Sequence, residues 1–225
     1  MNSFRQSLEE KKYLSSQKAL EFVKDGMVVG LGTGTTADIF ISLLGRRVQQ
    51  EKLNIKCVAS SSRTKNNASV YNLKIVSLDD VKKIDLVVDG ADQVDKNKNL
   101  IKGYGGALLR EKIIAYNCSK FIVIVDDSKL SEKLNKAVPV EFLPFARRVV
   151  FEQLKKIGAK EIKQRMEGSQ GFVSDNHNHI ADVHFGKIKD PNQLEDEINK
   201  ITGIVDNGIF SKKKPLVISN GQIIK

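Results

Sequence analysis

The sequence predicts an α/β protein with a doubly wound parallel sheet and a second, smaller α+β module. Three observations predict it. Strand-like and helix-like stretches alternate five times before residue 131. The run Phe121–Val125 (FIVIV) is continuously apolar, the mark of a strand covered on both faces, as in a parallel sheet. Near Lys136 the rhythm changes: two of the four prolines fall within Val138–Pro144, and a helix, a hairpin and another helix follow.

Residues 7–24 read as an amphipathic helix, with Leu8, Leu14, Ala19, Leu20, Phe22 and Val23 as its apolar face. Asp25-Gly26 stops it, and Met27–Leu31 is a short buried strand. Gly32-Thr33-Gly34-Thr35-Thr36-Ala37 then opens a helix through Ile39, Phe40, Leu43 and Leu44. Strand, glycines and helix start leave free backbone N–H groups, which suit an anion. Thr33, Thr35 and Thr36 add hydroxyls; alternatively the glycines only make the turn and a threonine caps the helix. The loop also fits the dinucleotide pattern G-x-G-x-x-A, which expects an acid about 20 residues on to hold a ribose. The second strand, Ile55–Ala59, ends instead in Ser60-Ser61-Ser62-Arg63-Thr64. Hydroxyls and a cation suit a phosphate better than a ribose diol. No nucleotide-triphosphate loop G-x-x-x-x-G-K-[ST] is present. A helix over 63–72 and a strand over Lys74–Leu78 follow.

The stretch from Asp85 to Ala115 gathers the chemistry. It starts as a strand, Asp85–Val88, and ends as a helix, Ala107–Ala115. Between them lie Asp89 and Asp92 in Asp89-Gly90-Ala91-Asp92, then Lys102 beside Gly103, and Glu111. An α/β fold places its chemistry where strands end. Carboxylates and one lysine in a glycine-lined pocket suit proton transfer on an anionic substrate. Each residue also has a plainer reading. Asp89 or Asp92 could cap a turn, Lys102 could be solvated, and Glu111 could offset the helix dipole or pair with Arg110 or Lys112.

In the later half, a helix over Ala146–Gly158 precedes a hairpin whose arms are Gly171–Ser174 and Ile180–Phe185. A helix over Asn192–Lys200 and strand-like runs at Gly203–Phe210 and Pro215–Ser219 complete the chain, the last ones returning toward the main sheet. His177 and His179 read as turn residues rather than zinc ligands, because no Asp, Glu or Cys cluster completes a coordination set.

Composition narrows the function classes. A chain of 225 residues needs no disulfide or metal to make a core. Cys57 and Cys118 lack metal-type spacing and sit in or beside apolar runs, as reduced, buried thiols of a cytoplasmic protein do. The N-terminal stretch has no apolar leader core, and no apolar run has membrane-spanning length. The net charge of +10 is scattered, and the chain has no Trp and only 4 Tyr. That argues against nucleic acid and for a lysine-rich surface attracting small anions.

With these residues in view, the chain resembles ribose-5-phosphate isomerase of the A type over nearly its whole length. The resembling motifs are GLGTGTTA at 30–37, SSSRT at 60–64, DGAD at 89–92 and IKGYGGALLREKIIA at 101–115. DDSK at 126–129, VPVEF at 138–142, SDNHNHIADVHF at 174–185 and GIVDNGIF at 203–210 continue it in order. The resemblance implies a Rossmann-like sheet domain, expected at 1–131 with 205–225, and a ferredoxin-like α+β domain at 132–204. It implies interconversion of ribose 5-phosphate and ribulose 5-phosphate in the pentose phosphate pathway, with no cofactor and no metal, by a homodimer. Glu111 then matches the catalytic base. Asp89, Asp92 and Lys102 match residues that contact the sugar, open its ring and shuttle protons. Thr33, Gly34, Thr35 and Thr36, the 89–92 segment with Gly90 and Ala91, the loop of Gly103, Tyr104 and Gly105, and Lys129 match substrate-binding positions. Two residues depart from the family pattern: Tyr104 and His177 stand where glycine is usual. A tyrosine at 104 is costly if that position needs φ above zero. A non-catalytic sugar-phosphate sensor and an NAD-dependent oxidoreductase are the competing classes. The first needs no base beside a lysine, and the second lacks its ribose-binding acid.

Overall fold

Strands and helices alternate through the first half of the chain in a computed structural model, which describes residues 7–224. The first six residues of the N-terminal stretch read above, and Lys225, lie outside the described residues. In order, the elements begin α1 (Leu8–Leu20), β1 (Val28–Leu31), α2 (Thr35–Glu51), β2 (Lys56–Ala59), α3 (Ser62–Val70) and β3 (Ile84–Asp89). They continue β4 (Gln93–Asp95), β5 (Leu100–Ile101), α4 (Leu108–Tyr116), β6 (Cys118–Val125), β7 (Leu130–Ser131), β8 (Val138–Phe142), α5 (Arg147–Lys156) and β9 (Glu161–Gln164). The last are β10 (Met166–Glu167), β11 (Gln170–Gly171), β12 (His179–His184) and α6 (Pro191–Asn199). Four strands close the chain, β13 (Ile204–Asn207), β14 (Ile209–Phe210), β15 (Leu216–Ser219) and β16 (Gln222–Ile224).

The chain divides into two compact units. One holds the described residues up to Gly90, with Ile114–Lys129 and Pro215 onward; the other holds Ala91–Ile113 and Leu130–Lys214. These boundaries differ from the expected ones. Residues 91–113 go with the second unit because β4 and β5 join β7 and β14 in a sheet of order β14-β5-β4-β7. Residues 205–214 go there too, since β13 pairs with β8 and β14 with β5.

The first unit is a six-stranded sheet of order β16-β15-β6-β3-β1-β2. All pairs are parallel except the edge hairpin β15–β16. This is a doubly wound sheet whose strand order reverses between β1 and β3. Its core joins Val29, Leu31, Phe40, Leu44, Cys57, Val88, Ile122 and Ile218. Burial of this core pushes the Cys57 thiol up to about 12.

Two sequence expectations fail here. For α1 the failure is partial. Ala19 and Val23 are buried, and Leu20 and Phe22 pack against the core as expected. Leu8, however, is 51% exposed, and Lys12, Ser15 and Ser16 share the buried face. Small residues let the helix approach closely, and the Ser15 hydroxyl donates to the Val125 carbonyl at 2.9 Å. The strand expected over Lys74–Leu78 shrinks to one parallel bridge, Cys57 to Ile75. Ser77 and Asp80 form a capping box that turns the chain into a 3₁₀ turn at Leu78–Asp80.

Asp85 ties β3 to β1 by accepting from the Val28 N–H at 2.9 Å, and it pairs with Lys83 at 2.9 Å. That backbone bond first, then Lys83, holds its pKa below the ordinary carboxylate value, against burial. A folded pKa below the unfolded one means the contribution is present above ~4 and is lost as pH falls through the folded value. Asp85→Asn is therefore expected to cost about 1 kcal/mol at neutral pH. In denaturant titrations the gap from wild type should narrow as pH drops below about 4.

In the second unit, β8, α5, β9, β12, α6 and β13 run β-α-β-β-α-β in chain order. Their antiparallel sheet has the order β13-β8-β12-β9, which is the ferredoxin-like arrangement. Its core includes Val138, Val140, Phe142, Val150, Leu154, Ala181, Val183 and Ile198. The expected hairpin partner of β12 is corrected. The 171–174 run contributes one bridge, Val173 to His179, while β12 pairs fully with β8 and β9. No helix among the described residues is long and apolar enough to cross a membrane.

Candidate active site

In the first unit, the loops after β1 and β3 lie side by side, at the switch point where doubly wound folds bind ligands. Asp89 ends β3 and is fully buried. Its Oδ1 accepts from the Thr33 N–H at 3.2 Å and from the Gly90 N–H at 2.7 Å. A Cβ at Gly32 would lie 1.9 Å from that same oxygen. Glycine is thus needed at 32 for close approach, and the carboxylate of Asp89 shapes the glycine–threonine loop. Gly34 is the N-cap of α2 without a side-chain cap, and Thr35 and Thr36 form the first turn of that helix.

In the serine-rich second loop, Ser60, Ser61 and Thr64 turn their hydroxyls to Thr33 rather than to a ligand, contrary to the sequence reading. Thr33 Oγ1 lies 2.8 Å from Ser60 Oγ, 2.8 Å from Ser61 Oγ and 2.9 Å from Thr64 Oγ1. Ser60 and Thr64 are fully buried. These hydroxyls satisfy one another and lock the two loops together. Arg63 is paired with Asp38 rather than left for a phosphate. Lys129 is half-buried in a 3₁₀ turn after β6, its N–H donating to the Asp126 carbonyl at 3.1 Å.

The second unit brings Lys102 and Glu111 together. Their charged groups lie 3.1 Å apart, and both side chains are only 2% exposed. Each comes from a local signal. Lys102 leaves β5 with its N–H bonded to the Gly208 carbonyl at 2.9 Å. Glu111 stands in the first turn of α4, its N–H bonded to Ala107 at 2.9 Å. The intervening loop is anchored at several points. Asp92 Oδ2 accepts from the Tyr104 N–H at 3.0 Å, and the Asp92 carbonyl accepts from Lys136 Nζ at 2.9 Å. Arg165, paired with Asp182 at 2.5 Å, donates to the Gly103 carbonyl at 2.9 Å. Gly106 has φ +78°, and a Cβ there would meet the Phe172 ring at 2.4 Å.

The departure at Tyr104 carries no strain, because that residue is not among those with positive φ. Its hydroxyl donates to the Ala137 carbonyl at 3.2 Å. Burial, then the charges of Asp92 and Asp182, push the phenol up to about 12. His177 does occupy the left-handed region, at φ 62°. That explains a glycine preference there, and histidine is one of the residues that tolerates it.

The two neighbours of Glu111 clamp its helix. Arg110 donates to Asn176 Oδ1 at 2.8 Å and to the Asp175 carbonyl at 2.8 Å. That turn is organised by buried Glu141, which accepts from Ser174, Asn176 and Asn178 at 2.8, 3.0 and 2.9 Å. Lys112 pairs with Glu195 at 3.1 Å and Asp206 at 2.7 Å.

Of the positions singled out in the sequence, Asp92, Lys102, Gly103, Tyr104, Gly105 and Glu111 belong to the second unit, as does Ala91. Thr33, Gly34, Thr35, Thr36, Asp89, Gly90 and Lys129 belong to the first. Sequence reasoning gave no role to Arg165, Asp182, Glu195, Asp206 or Phe210. Asp182, Asp206 and Phe210 fall within quoted motifs, but each acts across a strand pairing or on a distant helix, which no local pattern shows.

The chain is similar to known proteins over most of its length. The family described as Ribose 5-phosphate isomerase A (phosphoriboisomerase A) matches residues 56–222. A protein of Archaeoglobus fulgidus named Ribose-5-phosphate isomerase A is 45% identical over 205 residues, covering 90% of this chain and 91% of its own. One of the same name from Streptococcus gordonii is 43% identical over 216 residues, covering 96% of each chain. The solved ribose 5-phosphate isomerase A of Methanocaldococcus jannaschii superposes with a TM-score of 0.90 at 42% identity, over 97% of this chain and 98% of that one. A D-ribose-5-phosphate isomerase solved with phospho-erythronic acid gives 0.91 at 42% identity, over 94% of each. Motif order, fold and identity over nearly the full length agree: the chain belongs to the ribose 5-phosphate isomerase A family, whose members are aldose–ketose isomerases.

Proposed function

We propose that this protein interconverts D-ribose 5-phosphate and D-ribulose 5-phosphate by carboxylate-mediated proton transfer between C2 and C1. The observation that carries the reading is the buried Lys102–Glu111 pair, 3.1 Å apart. In the open-chain aldose, the Glu111 carboxylate takes the proton from C2 as the C1 carbonyl becomes the enediol(ate). It then returns that proton to C1 while the O2 hydroxyl proton passes to O1, leaving the ketone at C2 and a hydroxyl on C1. Carbon is oxidised at one centre and reduced at its neighbour, so the step needs no external redox cofactor. Lys102 supplies a full positive charge to the oxygen on which negative charge grows, in a setting where such stabilisation is strongest.

The other positions take their proposed roles from the family. Asp89 and Asp92 assist ring opening and hydroxyl proton transfer, and Lys129 contacts the substrate. The Thr33–Thr36 segment supports phosphate binding, because an α-helix start offers free N–H donors to an anion. A relative bound to phospho-erythronic acid supports a phosphorylated sugar chain as the ligand class. We place the enzyme in the non-oxidative pentose phosphate pathway as a homodimer, as the family resemblance implies, and in the cytoplasm on the cysteine usage and the N-terminal composition read in the sequence.

Incubating chelator-treated protein with ribose 5-phosphate is expected to yield the ketose at equilibrium proportions. Tight binding without conversion would instead favour a sugar-phosphate sensor.

A further inference from the structure

Two buried lysines share one aromatic ring. Phe210 is fully buried on β14. Lys102 Nζ lies 5.6 Å from its ring centroid, and Lys112 Nζ lies 5.0 Å from it. Both distances are within cation–π range. Lys102 is 2% exposed and Lys112 is 5% exposed. The two ammonium groups belong to different ion-pair systems. Lys102 meets Glu111, whereas Lys112 meets Glu195 and Asp206. Glu195 is fixed in turn by Ser211, whose N–H and hydroxyl donate to Glu195 Oε2 at 2.9 and 2.6 Å.

The backbone makes this placement specific. β14 pairs with β5 in the register Phe210 to Leu100 and Ile209 to Ile101. The Lys102 N–H is bonded to the Gly208 carbonyl at 2.9 Å. A Cβ at Gly208 would come within 2.2 Å of the Lys102 carbonyl oxygen, so the two segments are in close backbone contact. Phe210 is therefore carried by the same strand that locates Lys102, and an aliphatic residue there would fill space without offering a ring face.

We propose that Phe210 is a positioning residue for the isomerase reaction. Its ring holds the Lys102 ammonium against Glu111 and keeps that pair separate from the Lys112–Glu195–Asp206 system. The inference rests on the function proposed above, with Lys102 stabilising the oxygen that gains charge. Phe210 touches neither substrate nor reacting atoms; it acts through Lys102. Loss of the ring leaves Lys102 with a wider choice of rotamers and room for water, which weakens it where charge develops. Substrate binding made equally in ground and transition states is unaffected.

The test compares Phe210→Leu with Phe210→Tyr in the full-length protein, after wild-type conversion of ribose 5-phosphate has been established. Phe210→Leu is expected to lower kcat by roughly 3- to 30-fold, the range a desolvated cation–π contact spans, with KM within about twofold. Phe210→Tyr, which keeps the ring, is expected to recover most of the lost kcat. Phe210→Met provides the ring-free variant if the leucine protein does not fold. A ring-free variant with kcat within twofold of wild type would overturn the proposal. So would a tyrosine variant as impaired as the ring-free one, since that pattern reports packing alone. Absence of conversion by the wild type would overturn the underlying function instead, and the two failures are thereby distinguished.

Discussion

Glu111→Gln is expected to lower turnover of ribose 5-phosphate by about 10²- to 10⁴-fold while the protein stays folded and binds substrate. The amide has the length and shape of the carboxylate but cannot take a proton from carbon at a useful rate. Its oxygen dipole can stay beside the Lys102 ammonium, which lies 3.1 Å from the carboxylate in the wild type. The stability loss should thus fall below the roughly 3–5 kcal/mol typical of breaking a buried pair outright. Steady-state assays beside a thermal melt separate the two effects. Turnover within tenfold of wild type in the folded variant would remove Glu111 as the base.

The largest effect on stability is expected at Lys112. Replacing it by Met keeps a chain of similar length but removes the ammonium that pairs with Glu195, 1% exposed, and Asp206, 14% exposed. Losing one partner of a buried ionic cluster costs about 3–5 kcal/mol, because the remaining charges stay desolvated. Denaturant unfolding should show that loss, and adding Glu195→Gln should recover part of it, as coupled neighbours do. A cost below about 1 kcal/mol would mean the cluster is open to water in solution. Arg110 provides a milder contrast. It is 39% exposed toward Asp175, so its removal should be felt mainly through the Asn176 contact.

These cases show which parts of the site could be read from the chain. Glu111 and Lys102 were visible because a glycine loop between a short strand and a helix start is a local pattern. Their direct pairing was not, since eight residues of loop and helix lie between them and only the folded loop brings the two charges to 3.1 Å. The serine loop misled for a similar reason. Ser60, Ser61 and Thr64 are the residue types that bind phosphate, yet here they bond to Thr33 and are buried. Composition describes what a hydroxyl can do; burial decides whether a ligand can reach it. Tyr104 is the converse case, a suspected strain that the backbone does not impose.

By itself the amino-acid sequence determined the alternation of strands and helices, the doubly wound sheet and a smaller α+β second module, whose ferredoxin-like form came from the family resemblance. Continuous apolar runs, periodicity and glycine turns act within a few residues, so they survive in a one-dimensional reading. Only the tertiary structure decided that residues 91–113 join the second unit, and which acid neutralises which lysine. Lys112 and Asp206 are 94 residues apart in the chain. Nothing local links them; strand pairing and packing bring both charges out of water, where each needs the other.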